Sequence, residues 1–202
     1  MLVLISNSTA VVGETAIINV LFEEGLEILH VRKPGATVDE VSSLIEKIDS
    51  KYHHQIALHQ HHEIATGYGI KRLHFTEAGR KQMSEEALIR LKMANHILST
   101  SIHREEAYKD LPASFEYTFF GPVFNSISKQ GYTSSMPADF LFPVKKNLSK
   151  VIAIGGIDVT NIQQVKQMQF NGAAILGAIW QKPGESIQQF KAIQKAWKQT
   201  DR

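Results

Sequence analysis

The chain has 202 residues, nine histidines, no cysteine and a formal net charge of +2. This length favours one domain, residues 1–202, with a full hydrophobic core. The lack of cysteine excludes a disulfide framework, a thiolate zinc site and a cysteine nucleophile, and it fits a cytoplasmic protein. The balanced charge argues against nucleic-acid binding. Because no apolar run reaches the ~18 residues of a membrane span, we expect no membrane segment, and the apolar start MLVLI predicts a first strand.

Eight short apolar segments along the chain predict eight β-strands. Each is brief and mostly apolar, which is typical of parallel strands that are buried on both faces. The predicted strands are Leu2–Ser6, Ile28–Arg32, Gln55–His59, Arg72–Phe75, His96–Ser101, Tyr117–Phe120, Val151–Ile154 and Ala173–Leu176.

Helical patterns separate most of these strands. Thr15–Glu24 carries an apolar stripe, Thr37 with Glu40 has the spacing of a capping box, and Ser84 and Ser186 are placed to begin later helices. Strand and helix therefore alternate along the chain, which predicts an α/β protein with a parallel sheet. An open doubly wound sheet is one solution. We favour a compact (β/α)₈ TIM barrel, for which about 200 residues is the lower end of the usual size.

In such a barrel the ligand site lies at the carboxyl ends of the strands and in the loops that follow them. Glycines after the last two strands let the backbone approach a phosphate and bind it through N–H groups. Hydroxyl and ammonium groups after the sixth strand suit the same anion. The candidate site residues are His30, Arg32, Lys33, His59, His61, His74, Ser101, His103, Ser126, Ser128, Lys129, Gly155, Gly156, Gly177 and Ala178.

The histidines raise a second possibility, which is a metal site. His59 and His61 would share one face of a strand, and with His30 and His74 they would suit a zinc-dependent hydrolase. No carboxylate pair or third ligand stands at a fixed spacing, so we expect no metal ligand among them and interpret the imidazoles as core or ligand contacts. We expect His53 and its neighbour His54 to be solvated and His96 to be structural.

Five segments carry a resemblance to a known family. The most specific are FFGPVFNSISK (Phe119–Lys129), VIAIGGID (Val151–Asp158) and NGAAILGAIW (Asn171–Trp180). LHVRK (Leu29–Lys33) and STSIHREEA (Ser99–Ala107) are weaker. In this order the chain resembles the thiamine phosphate synthase family, which includes the TenI-like thiazole tautomerases. The resemblance implies a (β/α)₈ barrel, an enzyme of thiamine biosynthesis that acts on a phosphorylated thiazole, and a homodimer.

The resemblance also assigns roles to candidate residues. Ser126 and Ser128 stand where the family has threonines, and Lys129 and the glycine loops match its phosphate cradle. Ser101 and His103 match the family's Ser-x-His, whose histidine is the proposed acid–base residue of the TenI branch. An imidazole suits proton transfer at neutral pH.

Other family positions differ in this chain. His59 and His61 replace an asparagine and an arginine, Gln60 replaces a metal aspartate, and the second metal aspartate falls near Gly79, while His74 keeps the start of its motif. Mg²⁺ prefers carboxylate and phosphate oxygens. We therefore expect no certain cofactor, and Mg²⁺ only if synthase activity is retained.

These observations favour a TenI-like tautomerase in which His103, His30 and Arg32 are catalytic. One alternative is a thiamine phosphate synthase that joins a pyrimidine diphosphate to the thiazole phosphate and releases pyrophosphate. Another is a non-catalytic relative that binds a thiazole or thiamine phosphate. Tautomerisation would make the protein an isomerase, and synthesis would make it a transferase.

Overall fold

The structure is a computed structural model that describes residues 1–125, 136–137, 139–143 and 149–199. Its eight parallel strands follow one another around a closed barrel, in which the last strand pairs with the first. The predicted TIM barrel is thus confirmed, and the open sheet is excluded. The strands are β1 (Leu2–Ile5), β2 (Ile28–Val31), β3 (Ile56–Leu58), β4 (Arg72–Phe75), β5 (Ile97–Ile102), β6 (Phe115–Phe120), β7 (Lys150–Ile154) and β8 (Gly172–Ile175).

Helices surround the barrel. Thr37 and Glu40 form the predicted capping box at the start of α2, with the Thr37 amide 2.7 Å from a Glu40 carboxylate oxygen. Ser84 caps α4, since its hydroxyl accepts from the Ala87 amide. The helices are α1 (Glu14–Glu23), α2 (Val38–Glu46), α3 (Glu77–Lys81), α4 (Glu85–Met93), α5 (Glu106–Lys109), α6 (Ile162–Gln167), α7 (Gly177–Trp180) and α8 (Ser186–Lys198), with 3₁₀ turns at Ser50–Gln55, His62–Tyr68 and Pro183–Glu185. No helix within these described ranges is long and apolar enough to cross a membrane.

Most strand residues are apolar because the strands pack on two sides. Val3 pairs with Ile28 and Ile5 with His30 across β1 and β2, so alternate residues share the barrel interior. The other residues pack against the helices in a larger cluster. The interior cluster contains Val3, Ile5, Ile28, Ala57, Tyr117, Phe119, Ile152 and Ala174.

His53 departs from its predicted solvent exposure. It is buried, and its Nε2 donates towards the carbonyls of Ile45 and Ile48, at 3.1 and 2.9 Å. The Ile45 carbonyl lies in the last turn of α2, where a helix leaves its C=O groups without intrahelical donors, and the Ile48 carbonyl follows the end of the helix. His53 therefore completes the end of α2, whereas His54 is exposed as predicted.

Candidate functional site

A cavity of about 380 Å³ opens at the carboxyl ends of the strands. This is where ligand sites lie in (β/α)₈ barrels. The structure brings several predicted site residues together around it: Arg32 after β2, His59 after β3, His74 on β4, Ser101 on β5 and His103 after it, Gly155 and Gly156 after β7, and Gly177 and Ala178 after β8.

Three predicted site residues do not line this cavity. His30 is fully buried beneath its floor. The Lys33 ammonium points to the Glu14 carboxylate on α1, 2.6 Å away, and donates to the Thr9 carbonyl. His61 follows the end of β3 and has a left-handed backbone conformation, φ 55°, so the side-chain alternation of a strand does not extend to it. Its Nε2 donates to the Ala36 carbonyl. Three more predicted residues, Ser126, Ser128 and Lys129, lie outside the described residues.

His103 is exposed at the rim of the cavity, directly after β5. Its Nδ1 lies 3.0 Å from the carbonyl oxygen of Gly121. Because a carbonyl only accepts hydrogen bonds, Nδ1 must carry the proton in the neutral ring. Nε2 then holds the lone pair, so the Gly121 carbonyl fixes the tautomer in which His103 can accept a proton through Nε2.

His59, which follows β3, and His74 of β4 form the floor of the cavity, and His30 of β2 lies beneath them. His30 Nδ1 is 2.9 Å from His59 Nε2, and His30 Nε2 is 2.7 Å from the Tyr117 hydroxyl. The rings of His59 and His74 stack with centroids 4.0 Å apart, and Phe119 packs against His74. The floor is thus an aromatic surface above a His30 ring that is hydrogen-bonded through both of its nitrogens.

His74 is held by two serines of the neighbouring strand. Its Nδ1 is 3.0 Å from Ser99 Oγ and its Nε2 is 3.1 Å from Ser101 Oγ. The Ser99 hydroxyl is directed to the Leu73 carbonyl, so His74 Nδ1 donates to Ser99, and Ser101 donates to His74 Nε2. The ring therefore cannot turn without breaking two hydrogen bonds.

Burial keeps these imidazoles uncharged. It lowers the pKa of His74 to about 3, and the positive charges of His62 and Arg32 act in the same direction. Burial is also the largest cause that lowers the pKa of His30 and of His59, followed for both by the charge of His74. At neutral pH the floor is therefore a neutral donor–acceptor surface beside the Arg32 guanidinium.

The site residues that the structure describes do not fit the Mg²⁺ ion that the family resemblance suggests. Gln60 donates its side-chain amide to the Lys33 carbonyl, and Gly79 has no side chain. Of the carboxylates that line the cavity, Glu77 is paired with Lys81 at 2.8 Å and Asp158 accepts from Thr160. Neither carboxylate is left without a partner, and imidazoles are poor ligands for a hard cation.

The same imidazoles are badly placed for a softer metal ion. One ligand atom from each of His30, His59 and His74 lies within 4.8 Å of the others. The lone pair of an imidazole lies in the plane of its ring, and the planes of the stacked His59 and His74 are only 24° apart. As placed, these two rings cannot aim at one ion, and their short contacts are explained by the hydrogen bonds described above.

Two glycines after β7 bring their loop against the loop after β6. Gly155 has φ 101° and Gly156 has φ 65°, both in the left-handed region. A Cβ on Gly155 would lie 2.8 Å from the Pro122 Cα, and one on Gly156 would lie 2.5 Å from the Asn125 carbonyl oxygen. Only glycine allows this approach, which sets the shape of the cavity wall.

Several residues that line the cavity were given no role from the sequence. Thr76 follows β4, and its hydroxyl caps the short helix α3 by accepting from the Gly79 amide at 3.0 Å. Glu77 is the first residue of that helix. The threonine followed by an acidic residue is a helix-start signal that could have identified this element. Phe119 lies two residues after Tyr117, so the strand period places both in the interior.

The fold and cavity define a class of protein, a (β/α)₈ barrel with a cavity at the carboxyl ends of its strands, the place where ligand sites lie in such barrels. A sequence model of the family described as Thiamine monophosphate synthase (TMP-TENI) matches residues 2–179. The chain therefore belongs to this family, as the resemblance predicted.

Individual relatives agree with the family assignment. The chain is 27% identical over 166 residues to a protein of Lysinibacillus sphaericus named thiamine-phosphate synthase, which covers 80% of this chain and 75% of the relative. A crystal structure of thiamine phosphate pyrophosphorylase from Bacteroides thetaiotaomicron superposes with a TM-score of 0.73 at 26% identity, over 96% of each chain. A Pyrococcus furiosus structure of the same name has a TM-score of 0.75 at 16% identity, over 97% of this chain and 94% of its own, and shows the fold alone.

Proposed function

We propose that this protein binds a thiazole phosphate and catalyses its tautomerisation to the aromatic ring, the activity of the TenI branch of its family. The observation that carries the proposal is the state of His103. Its Nδ1–H is held by the Gly121 carbonyl at the rim of the cavity, which leaves Nε2 as a base. An imidazole fixed in this way suits general acid–base catalysis.

The phosphate would bind at the wall formed by the loops after β7 and β8. The first amides of a helix have no intrahelical acceptor, so the amides of Gly177 and Ala178 at the start of α7 can donate to an anion. Gly155 and Gly156 line the same wall. In an eight-stranded barrel this wall lies across the cavity from β3. A phosphate bound at the wall would therefore place the thiazole ring over the histidine floor.

The proposed step needs no second reactant. His103 Nε2 takes a proton from one ring atom of the non-aromatic thiazole, and the electron pair of the broken bond enters the ring as it becomes aromatic. The resulting imidazolium returns a proton to another atom of the same molecule. Arg32 is exposed on the other side of the same cavity mouth, and it would hold a further anionic group of the ligand.

Synthesis of thiamine phosphate is the second candidate. It is favoured by the names of the curated relatives, which are called thiamine-phosphate synthases. The poor fit of the cavity to Mg²⁺ weighs against it, because a leaving diphosphate would have to be neutralised by Arg32 and other basic groups. A purely binding role would keep the phosphate wall without using His103.

The test is turnover of the non-aromatic thiazole phosphate by the wild-type protein and by His103→Ala, with binding followed by calorimetry. We expect the variant to retain binding and to lose at least about 100-fold in rate, the usual contribution of an acid–base residue. His96→Ala is the matched control, since His96 precedes β5 at the other rim of the barrel. Equal rates in wild type and His103→Ala would refute the role of His103, and binding without turnover would refute catalysis.

A further inference from the structure

A chain of hydrogen bonds runs from the barrel interior to the floor of the cavity. We propose that Tyr117 is a positioning residue that acts through His30 to fix His59 as a hydrogen-bond donor towards the ligand. The three side chains are joined by contacts of 2.7 Å, from Tyr117 to His30, and 2.9 Å, from His30 to His59. The inference concerns the same cavity as the proposed function, but it does not depend on which reaction occurs there.

The direction of this chain is set at its buried end. Tyr117 and His30 are fully buried. Within the part of the chain that the structure describes, the Tyr117 hydroxyl has His30 Nε2 as its hydrogen-bond partner, 2.7 Å away. If His30 Nε2 carried the proton, the buried hydroxyl proton would be left without an acceptor, which is costly. The hydroxyl therefore donates to His30 Nε2.

The Tyr117 proton is always available for this bond. Burial raises the pKa of Tyr117 to about 12, although the charge of Arg72 acts in the opposite direction. The hydroxyl is therefore protonated throughout the neutral range.

The tautomers of both histidines follow from this direction. A neutral imidazole carries one N–H, so His30 that accepts at Nε2 must carry its proton on Nδ1. His30 Nδ1 then donates to His59 Nε2. His59 Nε2 accepts this hydrogen bond, so His59 must carry its own proton on Nδ1, the ring nitrogen that the chain of hydrogen bonds does not use.

That nitrogen is available to a ligand. His59 is partly exposed and lines the cavity, and no described residue supplies an acceptor to its Nδ1. The positive charge of Arg32 also acts on His59, so the guanidinium is close by. A ligand atom at this place must be an acceptor, such as an anionic oxygen, and a ligand that presents an N–H group there is disfavoured because two donors would meet.

The experiment is NMR of the ligand-free protein with ¹⁵N-labelled histidine, because the ring-nitrogen shifts distinguish protonated from unprotonated nitrogens. In the wild type we expect His30 and His59 both to be protonated at Nδ1 and unprotonated at Nε2. In Tyr117→Phe, His30 Nε2 loses its donor, and we expect His59 to change to a mixture of its two tautomers.

Tyr108→Phe is the matched control. Tyr108 is also buried, and its hydroxyl donates to the Ser149 carbonyl at 2.8 Å, away from the histidine floor. Tyr108→Phe should lower the free energy of unfolding by about as much as Tyr117→Phe does, and it should leave the histidine tautomers unchanged. Protonation of His30 at Nε2 in the wild type would overturn the proposal even if Tyr117→Phe fails to fold, as would an unchanged His59 in a folded Tyr117→Phe.

Discussion

The buried ion pair between Lys33 and Glu14 offers a prediction about stability. The two side chains are 10% and 6% exposed, and the ammonium contacts both carboxylate oxygens, at 2.8 and 2.6 Å. Lys33→Met leaves the Glu14 carboxylate buried without its partner. Removing one member of a buried pair costs roughly 3–5 kcal/mol, and we expect about 3 kcal/mol here because the pair lies near the barrel mouth.

For a chain of this size, a loss of about 3 kcal/mol lowers Tm by roughly 6–12 °C, which thermal unfolding followed by circular dichroism resolves easily. The double variant Glu14→Leu/Lys33→Met should recover to within about 1 kcal/mol of the wild type, because it removes both charges. The surface pair of Lys81 with Glu77 is the matched control, and Lys81→Met should cost about 0.5 kcal/mol or less. A stable Lys33→Met that loses binding of the thiazole phosphate would refute this reasoning and make Lys33 a ligand residue.

Two further predictions concern the cavity wall and its floor. In urea unfolding, Gly156→Ala should lower the free energy of unfolding by roughly 1–3 kcal/mol more than Gly35→Ala does. Both glycines have positive φ, but of the two only Gly156 has backbone atoms where a Cβ would stand. Equal losses in the two variants would contradict the close loop contact. The free energy of unfolding should fall as the pH drops from about 6.5 to about 3, because the unfolded chain takes up protons at histidines that the fold keeps neutral, His74 among them. His59→Gln should show a smaller fall between about pH 7.5 and about pH 5 than the wild type, and an identical fall would contradict the lowered pKa of His59.

The sequence predicted the barrel because local signals and the global fold agree. The eight apolar segments were short, and most were followed by a helix start such as Thr37, so the repeated local pattern predicted a parallel barrel. Placing candidate residues at the ends of strands then brought Arg32, His59 and His103 to one cavity.

Where the structure departs from these expectations, the cause is a contact or a strand end that local spacing does not predict. The Lys33 ammonium pairs with the Glu14 carboxylate of α1, and His53 donates to the Ile45 carbonyl at the end of α2. Neither partner can be deduced from local spacing. His61 departs from its expected face because β3 ends at Leu58, three residues earlier. The link from Tyr117 to His30 depends on the closure of the barrel, which brings side chains of β6 and β2 together in its interior.

The central claim is that this barrel moves a proton on a thiazole phosphate. It is tested most directly by giving the purified protein the non-aromatic thiazole phosphate without added metal, and in parallel the pyrimidine diphosphate and aromatic thiazole phosphate with Mg²⁺. We predict conversion to the aromatic thiazole in the first mixture, at a rate that depends on His103. Formation of thiamine phosphate in the second mixture, with no conversion in the first, would contradict the account and make the protein a synthase.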